Sequence, residues 1–156
     1  MRNFSFCLFF VFLLNNALAQ QVSIIPKPVS LQINKGSFKL DQNTVLHVPQ
    51  LSDLKSADFL NIYLKQFYGF SLKISRSDIR GGIRLSTKDN NSESEAYTLN
   101  SNSGGISIEG ESPAGTFYGI QTLIQLLPVE KAASLAIPSV SVKDEPRFSY
   151  RGLHLD

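Results

Sequence analysis

Apolar residues recur along the chain with two different spacings. From Val29 they alternate with polar neighbours at Val29, Leu31 and Ile33, pause at Asn34-Lys35-Gly36, and alternate again at Phe38 and Leu40. A period of two marks strands with one buried face, and the Asn-Lys-Gly break predicts a hairpin turn between them. Pro26 and Pro28 hold the approach to this stretch in extended backbone, at a sheet edge or in a linker. A short strand follows over 45–48, closed by Pro49. Between Ser52 and Tyr68 the spacing lengthens to three and four. Ala57, Leu60, Leu64 and Phe67 share one face, Lys55, Asp58, Asn61 and Lys65 fall largely on the other, and Gly69 stands where a C-terminal cap belongs. That pattern predicts an amphipathic helix lying on a flat surface.

Alternation returns over 71–75, 82–86, 96–99 and 105–109, with turn chemistry at Gly81-Gly82 and Gly104-Gly105 and a polar loop over 89–95, so a four-stranded meander is predicted. A second helix is written into "ESPAGTFYGIQTLIQLLP". Ser112 is a good N-cap, Pro113 fits the first helical position, Phe117, Ile120, Leu123 or Ile124 and Leu127 form the stripe, and Pro128 stops it. Gly115 and Gly119 each cost up to about 1 kcal/mol against alanine inside a helix, so they imply that the helix backbone lies close against a sheet or a neighbouring domain. A membrane dimer built on that Gly-x-x-x-Gly spacing needs a longer and less polar segment. Two strand-like pieces, 136–142 and 148–155, close the chain and are split by Asp144-Glu145-Pro146. The sum is an α+β domain, a largely antiparallel sheet with two helices on one face.

The first nineteen residues stand apart. Arg2 precedes an apolar run from Phe4 to Leu14, too short to span a bilayer comfortably, and Ala17-Leu18-Ala19 supplies a small-x-small cleavage pattern. A signal peptide over 1–19 and an exported, periplasmic or secreted protein are expected, with no membrane attachment after cleavage. Cys7 lies inside that run, so the mature chain has no thiol for disulfides, metal ligation or nucleophilic catalysis. His47 and His154 are the only histidines, without ligand spacing for zinc, and no metal or other cofactor is implied. A net charge of +2, with both signs interspersed, gives no reason to expect nucleic acid as a partner.

Complete catalytic constellations are missing from the pattern. Asp144 and Glu145 are adjacent, so in extended chain they point to opposite sides, and nothing apolar surrounds them to separate their pKa values as acid–base work requires. They read as a solvated linker, and Glu93 and Glu95 as part of the polar loop. The chain holds no nucleophile elbow, phosphate loop or dinucleotide fingerprint.

Three stretches, "IIPKPVSLQINKGSFKL", "ESPAGTFYGIQTLIQLLP" and "IPSVSVKDEPRFSYRGLHLD", resemble successive signatures of glycoside hydrolase family 20, the exo-acting β-N-acetylhexosaminidases. The resemblance implies an accessory domain over 20–145, packed through its helices on a (β/α)8 barrel that carries the active site. Residues 146–156 are then a stub of that barrel, "YRGLHLD" its first strand, and the chain a fragment. It implies substrates ending in N-acetylglucosamine or N-acetylgalactosamine, an amino-sugar-terminated glycan or chitooligosaccharide. Hydrolysis with retention is expected, the substrate's own acetamido oxygen replacing an enzyme nucleophile. The family's neighbouring Asp-Glu pair has no match here, so the fragment is expected to be inactive. Arg151 matches a sugar-contacting arginine, a role that its planar fork of donors suits, since it can bond two neighbouring ring hydroxyls. His154 and Asp156 receive no role. The alternative is a non-catalytic exported sugar-binding or scaffold domain.

Overall fold

The structure is a computed structural model and describes residues 22–77 and 80–148. Seven strands form one sheet in the order β1-β7-β5-β6-β4-β2-β3, interrupted in sequence by two helices. The elements run β1 (Ser30–Asp41), β2 (Val45–His47), a 3-10 turn (Leu51–Asp53), α1 (Leu54–Tyr68), β3 (Lys73–Ser75), β4 (Ile83–Thr87), β5 (Tyr97–Asn102), β6 (Gly105–Gly110), α2 (Pro113–Gln125) and β7 (Ser134–Asp144).

The α+β class and the two helices stand, but two expectations about the sheet do not. The stretch around Gly36 is not a hairpin. Both halves belong to the single strand β1, which pairs antiparallel with β7 throughout and shifts register between Ile33 and Ser37. Gly36, at φ 99°, makes a bulge and not a reversal. The bulge lies beside Pro138, which pairs with Ser37 and has no N–H to give the ladder. On the other side of β7, pairing with β5 stops at Val140, so Pro138 leaves no gap there.

The meander is also wrong, and the sheet is mixed. β1–β7, β7–β5 and β5–β6 are antiparallel, whereas β6–β4, β4–β2 and β2–β3 are parallel. Alternation shows that a strand has a buried face but not which way it runs or beside what. Parallel neighbours need a crossover, and α1 supplies one between β2 and β3. α2 does the same from β6 over β5 to β7. Within the proposed meander only the β5–β6 hairpin survives.

Both helices lie on one face. Ile83, Leu85, Leu99, Ile106 and Ile108 are buried beneath them, with Leu60, Leu64, Ile120 and Leu123 from the helices. Residues of the opposite parity, including Asn100, Asn102 and Glu109, are exposed, as expected of a sheet solvated on one side. α1 ends at Gly69, φ 85°, whose N–H donates to the Leu64 and Lys65 carbonyls at 3.1 Å. α2 starts as its sequence predicts: Ser112 Oγ accepts from Gly115 N at 3.3 Å and Pro113 is the first helical residue.

The two helical glycines meet the sheet at close range. A Cβ on Gly119 would overlap Ile108 Cγ2, and one on Gly115 would overlap the Ala96 carbonyl oxygen. Two other placements differ from the pattern. Phe67 is 43% exposed and is not in the core. Asn61 faces inward to the chain beyond α1, donating to the Leu72 carbonyl at 3.0 Å and accepting from its N–H at 2.8 Å. Of the strand expected over 148–155 and the barrel stub expected over 146–156, only residues 146–148 are described, and they are not in a strand; the rest lies outside the described residues.

Candidate functional site

The chain leaves the sheet beside α2. Asp144 is the last residue of β7 and sits opposite Tyr97 in the ladder. Its Oδ1 accepts from Val29 N at 3.1 Å, and its Oδ2 accepts a long bond, 3.5 Å, from Tyr97 Oη. Tyr97 Oη also lies 2.5 Å from Thr122 Oγ1 on α2. Burial pushes the Tyr97 phenol up to about 12, the Thr122 bond opposes this, and the Asp144 carboxylate adds to it. Tyr97 therefore remains a neutral hydroxyl at physiological pH. Expecting Asp144 to be a solvated linker is thus incorrect, because it is partly buried and tied to two elements. Glu145 is exposed as expected. Beyond this tie, Pro146 and Phe148 line a cleft of about 580 Å³ together with Tyr118, Gln121 and Gln125 of α2 and with Ile24. Gln125 Oε1 accepts from Ile25 N at 2.8 Å, which fastens the incoming chain to the same helix.

The outer side of the helix pair continues from this cleft. Phe59 of α1 meets Phe117 of α2 edge-on, centroids 5.1 Å apart and planes at 67°. Around that contact Phe59, Ile62, Phe67 and Tyr118 are exposed. Large apolar groups on one layer of two helices form a surface that water covers poorly.

A second polar cluster lies under the start of both helices. Asp53, fully buried, accepts from Thr87 Oγ1 at 2.5 Å, and its Oδ2 has no hydrogen-bond partner. Thr116 Oγ1 of α2 lies 2.7 Å from Thr87 Oγ1 and 3.1 Å from the Ser86 carbonyl. Gln50 brackets Thr87, donating to its carbonyl at 2.8 Å and accepting from its N–H at 3.1 Å. Desolvation raises the Asp53 pKa above the usual carboxylate range, and the bond from Thr87 lowers it in part.

No group of three His, Cys, Asp or Glu side chains that could hold a metal ion occurs among the described residues, nor does a helix long and apolar enough to cross a membrane. His47 is buried on β2, its Nε2 3.1 Å from the Arg76 carbonyl. The profile of glycosyl hydrolase family 20, domain 2, matches residues 21–145. The chain belongs to glycosyl hydrolase family 20.

Relatives within the family support the assignment. The chain is 35% identical over 144 residues to a beta-hexosaminidase of Porphyromonas gingivalis, covering 86% of this chain and 18% of that protein. It is 32% identical over 143 residues to a beta-hexosaminidase of Vibrio vulnificus, covering 88% and 15%. Among solved structures, the family 20 beta-N-acetylhexosaminidase of Streptomyces coelicolor superposes with a TM-score of 0.72 at 27% identity, over 82% of this chain and 27% of that one. The exo beta-N-acetylglucosaminidase of Vibrio harveyi, in complex with N-acetylglucosamine, gives 0.71 at 28% identity, over 82% and 20%. The chain thus spans less than a third of the length of each of these proteins.

Against this family 20 frame the predicted residues scatter. Arg151, His154 and Asp156 lie outside the described residues. Glu93 and Glu95 are in the β4–β5 connection, where Glu95 Oε1 accepts a 3.5 Å bond from Tyr118 Oη. Reasoning from the sequence missed the Asp53–Thr87–Thr116 cluster. Its signal was faint: Asp53 sits where an N-cap belongs, but it makes no capping bond and turns to Thr87 instead.

Proposed function

We propose that this chain is the accessory domain of an exported β-N-acetylhexosaminidase, which removes terminal N-acetylglucosamine or N-acetylgalactosamine from glycans or chitooligosaccharides. The observation that carries the reading is the family 20 domain 2 match over 21–145, in a chain whose longer relatives are named beta-hexosaminidases. In this reading residues 1–19 are a signal peptide, 20–145 the accessory domain, and 146–156 the entrance to a catalytic barrel. Catalysis is retaining and substrate-assisted, with its acid and its acetamido-orienting carboxylate carried by the barrel. The accessory domain docks on that barrel through the outer side of α1 and α2. Exposed Phe59, Ile62 and Tyr118 support this, as does the chain's path past α2 at Phe148.

Arg151 holds two ring hydroxyls of the terminal sugar in this scheme. A lysine cannot reproduce the fork, so in a protein that includes the barrel Arg151→Lys should recover little of the kcat/KM lost in Arg151→Ala. The deciding experiment is an assay with a chromogenic N-acetylglucosaminide, on the 156-residue chain and on a longer product that includes the barrel. Turnover by the longer protein and none by the 156-residue chain is the expected result. Turnover by the purified 156-residue chain, with host enzyme excluded, overturns the assignment of catalysis to the barrel.

A further inference from the structure

We propose that Asp144 is a positioning residue that pins the exit of the chain from the sheet, and so fixes the path of residues 145–148 beside α2. The inference rests on the accessory-domain reading for its purpose but not for its geometry. The ladder between β1 and β7 begins with Ser30 opposite Lys143. One rung further, Val29 is bonded by the Asp144 side chain, not by a backbone carbonyl. A carboxylate that reaches across in this way satisfies the neighbouring N–H while leaving its own backbone to turn out of the sheet.

The next residues enforce that departure. Pro146 has no N–H and holds Glu145 in extended conformation, so the ladder cannot resume. The second carboxylate oxygen faces Tyr97 Oη, itself held by Thr122 of α2, so one side chain joins the start of β1, β5 and α2 at the point of exit. Pro146 and Phe148 then line the same cleft as Tyr118 and Gln121 of α2. Charge-assisted acceptors make shorter and stronger bonds than neutral ones, which suits an aspartate here, and the 3.1 Å bond to Val29 is the principal tie.

Backbone ¹⁵N relaxation on the 156-residue chain tests this. In the parent, Glu145, Arg147 and Phe148 should show order parameters near the rigid value of about 0.85, and in Asp144→Ala they should fall below about 0.6 while β5 and β6 keep theirs. Asp144→Asn retains an acceptor for Val29 and should restore most of the order. Tyr97→Phe removes the weaker tie and should loosen the exit less than Asp144→Ala. The proposal is overturned if 145–148 is as ordered in Asp144→Ala as in the parent, if it is already mobile in the parent, or if order is lost equally across the sheet. It is equally overturned if Asp144→Asn is as loose as the alanine. None of these outcomes depends on hexosaminidase activity, so a failure here is distinct from a failure of the functional assignment.

Discussion

Replacing Asp53 with asparagine should stabilise the domain at neutral pH. The carboxylate is fully buried, one oxygen is bonded to Thr87, and the other has no partner. Because burial raises its pKa, the folded state holds the proton more tightly than the unfolded chain, whose carboxylate titrates near about 4. A group of this sign contributes fully below the unfolded pKa, and its contribution is lost as pH rises through the folded value. As pH rises, ionisation of this carboxyl therefore has to occur in a buried site that disfavours the charge. Asparagine keeps the acceptor for Thr87 and removes the charge, at the cost of an amide group with no acceptor of its own. A desolvated, unpartnered polar group costs about 1 to 3 kcal/mol, with charge toward or beyond the upper end. The net gain should be on the order of 1 to 2 kcal/mol at pH 7, or roughly 4 °C in Tm per kcal/mol for a domain of this size. Thermal and urea melts of both proteins from pH 4 to pH 8 provide the assay. The advantage of Asp53→Asn should be smallest at pH 4 and grow as pH rises. A variant less stable than the parent at pH 7, or a difference that does not change with pH, would refute the reasoning.

Further expectations concern the helices. Gly119→Ala gains helix propensity but drives a Cβ into Ile108, so it should lower stability by about 1 to 3 kcal/mol in a melt. Ile62→Asp should cost less than about 0.5 kcal/mol in the 156-residue chain, because Ile62 is 66% exposed, and clearly more in a protein that includes the barrel if that face docks there. Thr116→Val and Asp53→Asn share Thr87 and should be non-additive by at least 0.5 kcal/mol, on the order expected within one network, whereas Thr122→Val and Asp53→Asn should add; a double-mutant cycle on urea melts distinguishes them.

Helix α2 was legible almost to the residue, because its information is local: a serine cap, a proline, a stripe of side chains and a stop within eighteen positions. α1 was legible for the same reason, although Phe67 and Asn61 took the opposite sides from those the pattern gave them. Strands were legible as strands but not as a sheet. Whether Leu46 lies beside Ile74 or Phe38 depends on what α1 does to the chain's direction, and no alternation of residue types encodes that. Gly36 shows the same limit at one residue, since a positive φ serves a bulge as well as a turn. Pro138, read as a member of a strand, was the better clue, for it marks where the ladder to β1 is broken. At the exit, Asp144 and Glu145 were read together as one solvated linker. Their fates nonetheless differ, because one faces Val29 and Tyr97 across the sheet and the other faces water.

The polar side of α2 gives the sheet-facing surface a logic that composition obscures. Thr116, Gly119 and Thr122 are spaced by three and lie on one side of the helix, toward β4, β5 and β6. Thr116 joins the Thr87–Asp53 cluster, Gly119 lets the backbone settle on Ile108 and Tyr97, and Thr122 holds the Tyr97 hydroxyl beside Asp144. Apolar packing by Ile120 and Leu123 presses the helix down without fixing where along the sheet it stops. Hydrogen bonds at two points about 1.7 turns apart, with a contact between them that admits no side chain, do fix it. The helix is thereby held in one register, with Tyr118, Gln121 and Gln125 turned to the cleft and Phe117 to Phe59. If α2 docks on a barrel as proposed, that rigidity matters more than area, because any slip of α2 would move every outward side chain at once.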